Sequence, residues 1–447
     1  MQEKKKGIEM TSGSLWKNIF LFSLPLMFSQ ILEVLFNLSD VAIAGKFADY
    51  RALGSVGSTT LLVSLFTGFL IGMGNGVNVR VAHALGIGDR EAVQKTIHSS
   101  FLICTITGVI VAAVCLIFAK PMLTLLHTKD ELMDGAVNYL RIYALGLPAM
   151  GIYNCGNGVM SATGDTRRPL LYLTTAGIVN VLLNLFFVIG CHLAAEGVAI
   201  ASAIAQCLSA FLILRHLCSR QDACKVSFSK LKLDGHASRQ VLALGIPSGF
   251  QYAIFAIANL FVQTGLNSFD AITVSGNSAA GNADTLIFNV MAAFYTGCAS
   301  FMSRNRGAGD RSRMTKSYLI SLFYSFMAGA ILGGALLVFG RQFLSLFASE
   351  PAVIDAGVDR LRIMAFSYAI STFMDCTIAA SRGIGKSVVP TIIVILGSCV
   401  FRVIWVYTVF AYFGTITSLY LLYFFSWTIT GVAEILYFVI SYRKLKV

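Results

Sequence analysis

The side chains of this chain that most need a chemical reason are acids and amides standing inside long apolar runs. Glu33, Asn37 and Asp40 are spaced by four and three, which puts them on one face of a helix. An ionised Asp at the centre of a bilayer costs about 2.5–3.5 kcal/mol on insertion scales, so Asp40 is expected to face a cavity or a partner and to handle a proton or cation. The plainer alternative is that Glu33 or Asp40 lies near an interface or pairs structurally. Asn180 and Asn184 are one turn apart, and their carbonyl oxygens suit a hard cation such as Na⁺. Interhelical hydrogen bonding is the competing use of such amides.

Further along, Asn259, Gln263 and Asn267 recur every four residues, with Gln251 two turns earlier: a stripe that is polar but uncharged. Ser367, Ser371 and Asp375 share another face, and Asp375 is a second candidate proton or cation site. Asp40, Asn180, Asn184 and Asp375 are therefore the candidate coupling residues. Glu33, Asn37 and Asn154 are candidate lining of a substrate cavity, and so are Gln251, Asn259, Gln263 and Asp284. Arg402, inside an apolar run, needs a counter-ion, for which Asp375 or Glu434 is expected in a structural pair.

The elements that must position these residues follow from composition. The chain has 447 residues, of which 56% are hydrophobic and only 13% charged. Soluble domains carry about 25% charged residues, so the solvent here is the lipid bilayer. Continuous runs such as 103–118 and 319–339 fit helices rather than the short alternating strands of a barrel. The expected class is an all-α membrane protein with twelve spans: 16–45, 53–82, 98–118, 137–161, 168–190, 195–217, 241–268, 276–303, 317–339, 357–381, 388–411 and 416–440.

The chain also repeats itself. Leu140-Arg141-Ile142 recurs as Leu361-Arg362-Ile363, Gly86-Ile87-Gly88-Asp89-Arg90 as Gly307-Ala308-Gly309-Asp310-Arg311, and Pro169 as Pro390, at an offset of 221. Pro25 and Asn37 recur as Pro247 and Asn259 at an offset of 222. This predicts an N-terminal six-helix bundle over 1–217, a linker over 218–240 and a C-terminal six-helix bundle over 241–447, related by a parallel repeat. The position matching Asp40 is Val262, and the position matching Asp375 is Asn154, so the halves differ chemically.

Basic residues fix the expected orientation. Alternate loops carry 25 Lys and Arg on one side and 8 on the other, which puts both termini in the cytoplasm of a cell-membrane protein. The net charge of +12 then reflects inner loops, not nucleic-acid binding. No cleavable leader is expected. The repeated Gly-x-Gly-Asp-Arg string lacks the strand and the GxxxxGK or GxGxxG spacing of a nucleotide site, and reads as a turn with a helix cap. The six histidines have no metal-ligand spacing and are expected in exposed loops or helix ends. The ten cysteines include no CxxC pair and read as small packing residues.

Several strings resemble the multidrug and toxic compound extrusion (MATE) transporters, nearly end to end: PLMFSQILEVLFNLSDVAIAG over 25–45, GMGNGVNVRVAHALGIGD over 72–89, YLRIYALGLPAMGIYNCGNGVMSATGDTRRP over 139–169, SLFASEPAVIDAGVDRLRI over 345–363 and ASRGIGKSVVP over 380–390. The resemblance implies a V-shaped pair of bundles around a central cavity. It also implies export of organic, often cationic, amphipathic compounds driven by Na⁺ or H⁺ entry, with no cofactor and no catalysis. The family's first-bundle coupling site uses an Asp in the first span, matched by Asp40. It adds an Asn and an Asp in the fifth, matched by Asn180 and Asn184, so Asn184 removes one carboxylate. Small organic substrates and the lipid bilayer are the expected partners of a monomer. A lipid-linked oligosaccharide flippase of the same superfamily is the alternative; it would line its cavity with Arg and Lys, of which only Arg402 is evident. An intramembrane enzyme would need a catalytic carboxylate or metal cluster and would not require a full-length repeat.

Overall fold

In the computed structural model, residues 7–445 are described, and among them the chain is helical with no strand. The elements are α1 (Leu15–Phe47), α2 (Tyr50–Ile87), α3 (Arg90–Leu125), α4 (Asp130–Ala144), α5 (Leu147–Ala162), α6 (Arg167–Leu185, running on into a π-helical turn, Phe186–Gly190) and α7 (Ala195–Ser219). They continue as α8 (Gly235–Leu266), α9 (Ala271–Gly307), α10 (Arg311–Leu344), α11 (Pro351–Gly383), α12 (Val388–Phe413) and α13 (Ile416–Arg443). Lys4, Lys5, Lys6 and Lys446 of the inner basic set lie outside the described residues.

Among the described residues, eleven helices are long and apolar enough to cross a membrane, against the twelve spans expected. The difference lies at 137–161, which is not one helix but the pair α4 and α5. Pro148 sits in the first turn of α5, where it has no N–H to offer the preceding turn and disfavours helical backbone at the residue before it. The matching stretch of the second half carries Ala369 there, and α11 runs unbroken. The repeated turn behaves as its sequence suggests. Gly88 and Gly309 take φ of 84° and 77°, and Asp89 and Asp310 cap the following helices by accepting backbone N–H groups.

The chain divides into two compact units, and the division falls inside helices: between 27 and 28 in α1, and between 252 and 253 in α8. Each break comes shortly after a proline inside its helix, Pro25 and Pro247. The first unit is built mainly of Phe28–Tyr252, the second of Glu9–Met27 and the chain beyond Ala253. Close backbone approach explains the exchange. In the first unit a Cβ on Gly72 of α2 would fall 2.4 Å from the backbone N of Gly249 in α8, so glycine is required where these helices cross. In the second unit Gly297 of α9 lies against Ser23 and Phe22 of α1.

The stretch 218–240 is anchored to the first unit. Ser227 donates its N–H to His98 Nε2 at 3.1 Å, and Asp234 donates to Ser99 Oγ at 2.9 Å. His98 is therefore buried, unlike the exposed histidines expected, because it holds this segment against α3.

Candidate functional site

In the first unit, α1, α6 and α7 bring four polar side chains together. Asn180 and Asn184 stand one turn apart on the buried face of α6. Gly177, three residues before Asn180, shares that face, and a Cβ there would lie 1.9 Å from Phe36 Cε2 of α1. The missing side chain seats the Phe36 ring, and Asp40 follows one turn later on α1. Gly177→Val is expected to lower stability by about 1–3 kcal/mol through overpacking and to reduce transport, because it displaces Phe36 and with it the neighbouring Asp40 cluster. Unchanged melting and transport in that variant would show that Phe36 yields freely.

Asp40 is 9% exposed. Asn184 donates its amide to Asp40 Oδ1 at 2.5 Å, and Ser202 of α7 donates its hydroxyl to Oδ2 at 3.1 Å. Asn184 also donates to Asn180 Oδ1, and Asn180 donates to Ser202 Oγ, both at 3.3 Å. The donors to the carboxylate are thus neutral, and no Lys or Arg pairs with Asp40 among the described residues. Asn184 Oδ1 is buried without a hydrogen-bond partner. Unmet buried acceptors are rare and costly, about 1–3 kcal/mol each. A carboxylate, two amide oxygens and a hydroxyl form an all-oxygen group suited to a proton or a hard cation.

The other first-half candidates make no hydrogen bond to this cluster among the described residues. Glu33 is half-buried and Asn37 exposed, although both share the helical face of Asp40. Asn154 donates to Met150 O in its own helix. Gln251 is half-buried and belongs to the first unit, whereas Asn259 and Gln263 of the same stripe belong to the second.

In the second unit the acids and the arginines are arranged differently from the expected pairing. Asp284 accepts from Arg360 Nη2 at 2.5 Å and from the Tyr368 hydroxyl. Arg360, one of the 8 basic residues counted on the outer side, is buried inside α11. Ser367 and Ser371 bond carbonyls of their own helix. Asp375 is half-buried and makes no hydrogen bond or ion pair among the described residues. Glu434 is fully buried with neither carboxyl oxygen hydrogen-bonded.

Neither acid pairs with Arg402. Its Nη1 donates to Asn259 Oδ1 at 2.9 Å, its Nε to Ser426 Oγ at 3.4 Å, and its guanidinium lies 4.7, 5.6 and 5.7 Å from the rings of Tyr423, Phe255 and Trp427. Desolvated cation–π contacts contribute about 2 kcal/mol or more, against a desolvation cost of several kcal/mol for a buried ion. Gln263 donates to Asn267 Oδ1 at 2.8 Å on the same stripe.

The MatE family model matches the chain twice, over 25–186 and 247–408. The chain is a member of the MatE family. The MatE match also falls on both copies of the internal repeat. A Bacillus subtilis protein named as a probable multidrug resistance protein, YoeA, is 22% identical over 88% of this chain and 86% of its own length. A Shewanella oneidensis protein named as an FAD transporter is 24% identical over 77% of each. A solved structure described as the outward-facing conformation of a multidrug resistance MATE family transporter has a TM-score of 0.92 and 20% identity, covering all of both chains. This MatE chain is thus a multi-pass membrane transporter of the bacterial MATE type, with the fold of that family.

Sequence reasoning missed Ser202, and with it α7 as a wall of the Asp40 cluster. The signal is present in the sequence: Ser202, Gln206 and Ser209 lie at i, i+4 and i+7 in the apolar middle of the span. It also missed the rings around Arg402, which come from segments with no spacing relation to that residue.

Proposed function

We propose that the chain is an antiporter that couples entry of H⁺ or Na⁺ to export of organic amphipathic compounds by alternating access across the cell membrane. One observation carries this reading: a buried carboxylate, Asp40, is held only by neutral donors, beside an amide oxygen of Asn184 that has no partner. A proton or hard cation meets both needs, and its departure on the other side of the membrane leaves the site unfavourable again. An ion shifts such an equilibrium only by its differential affinity for the two states. The Asp40 cluster is complete within one chain, so we expect the monomer to suffice, with both termini cytoplasmic as the basic asymmetry requires. Against the flippase alternative, Arg360 is neutralised by Asp284, and Arg402 alone is a poor match for a pyrophosphate.

The test is transport in proteoliposomes under imposed gradients. Norfloxacin or ethidium is expected to move uphill only when a pH or Na⁺ gradient runs the opposite way. Uphill movement with neither gradient, or none with both, would overturn coupled export.

A further inference from the structure

We propose that Arg402 is a recognition site for an acidic group, a carboxylate or phosphate, carried by the transported compound. This rests on the export reading and specifies its cargo: amphipaths that bear an oxyanion, including zwitterions, and not simple organic cations alone.

Arg402 is 2% exposed and among the largest fully buried side chains of the protein, yet it has no ion pair among the described residues. A guanidinium carries five N–H donors in a planar fork. Here Nε is bonded to Ser426 and Nη1 to Asn259, which leaves Nη2 and one Nη1 hydrogen without an acceptor. Those are the adjacent donors that a carboxylate or phosphate engages through two oxygens. Asn259, which accepts from the buried head, is itself exposed on α8. The polar groups around Arg402 thus extend to the surface of this unit at Asn259.

The backbone around Arg402 is also unusual. α12 is interrupted by π-helical turns at Ile395–Val400 and Val406–Phe410, with the arginine on the short α-helical stretch between them. Such wide turns recur at functional sites, because they re-aim one side chain within a helix. Tyr423, Trp427 and Phe255 supply flat apolar surface beside the donors, suited to the aromatic body of an amphipath. Asp375 on α11 is within electrostatic reach of Arg402 but does not bond to it, so the fork remains open to an outside acceptor.

Two matched pairs of fluorescent probes test this by anisotropy on the protein in nanodiscs: rhodamine B against its ethyl ester for a carboxylate, and FMN against riboflavin for a phosphate. In the wild type at least one acid is expected to bind tenfold or more tighter than its acid-free partner, and the pair that responds identifies the oxyanion. Arg402→Met should bring that ratio to within about twofold of one while the acid-free probe keeps its affinity. Arg402→Lys should retain part of the ratio, as a point charge without the fork. Ratios near one for both pairs in the wild type overturn the proposal whether or not any variant folds. A ratio preserved in Arg402→Met, or an equal loss for both members of a pair, does the same. Where those ratios overturn the Arg402 assignment, gradient-driven export of an acid-free compound such as ethidium still leaves coupled export standing, and its absence removes both.

Discussion

Asp40→Asn is expected to abolish gradient-driven export of norfloxacin, by a hundredfold or more, while the protein remains folded in the membrane. The change removes one charge and keeps the shape. The Asn carbonyl can still accept from Asn184 or Ser202, and a serine hydroxyl can turn from donor to acceptor, so the hydrogen-bonded cluster survives. Stability is expected to hold or rise, because an ionised Asp within a span costs about 2.5–3.5 kcal/mol that Asn does not. Coupling cannot survive: moving a two-state equilibrium from 1:99 to 99:1 takes about 5.5 kcal/mol of differential binding, and a neutral amide offers a proton or cation little of that. Unaltered melting with lost export marks a coupling residue. Loss of both would mark a structural one, and retained uphill export would move the role to another acid, Asp375 first.

Asn184→Ala is expected to leave the maximal rate largely intact and to raise the ion concentration needed for half-maximal export roughly 10- to 100-fold. Two things vanish together: the 2.5 Å hydrogen bond to Asp40 and the unpartnered Oδ1. Hydrogen bonds to charged groups contribute about 1.5–3 kcal/mol, and each 1.4 kcal/mol is tenfold in affinity. Asn184→Asp should act in the opposite direction on cation affinity, since it adds a second carboxylate beside the first. Ion dependence that matches the wild type in the alanine variant would show that α6 supplies no ligand.

Much of the fold and of the Asp40 cluster is legible in the sequence. Asp40, Asn180 and Asn184 stood out because burying a charge or an amide in an apolar run is costly enough to demand a purpose, and helical spacing paired the two amides correctly. The repeated Gly-Asp turns were readable because a left-handed glycine followed by a capping Asp has few other uses. Periodicity was weaker at telling what packs on a face. Glu33, Asn37 and Asp40 share one, but among the described residues only Asp40 hydrogen-bonds to α6 and α7, where the Phe36–Gly177 approach that seats α1 depends on a missing side chain. Ser202 was hidden by its commonness: a serine in a span usually bonds its own helix, as Ser367 and Ser371 do. The break between α4 and α5 was visible as Pro148, yet a proline within a long apolar run does not by itself separate a kink from an interruption. For Arg402, charge balance pointed to an acid, whereas amide, hydroxyl and aromatic partners surround it.

The most direct measurement is substrate-evoked ion movement in proteoliposomes, with pyranine reporting protons and a sodium-sensitive dye reporting Na⁺, for the wild type and Asp40→Asn side by side. The expected result is an ion flux opposite in direction to norfloxacin in the wild type, and no such flux in Asp40→Asn although norfloxacin still binds. The same ion flux in both proteins, or norfloxacin moving uphill in the wild type with neither ion moving, would contradict coupling through Asp40.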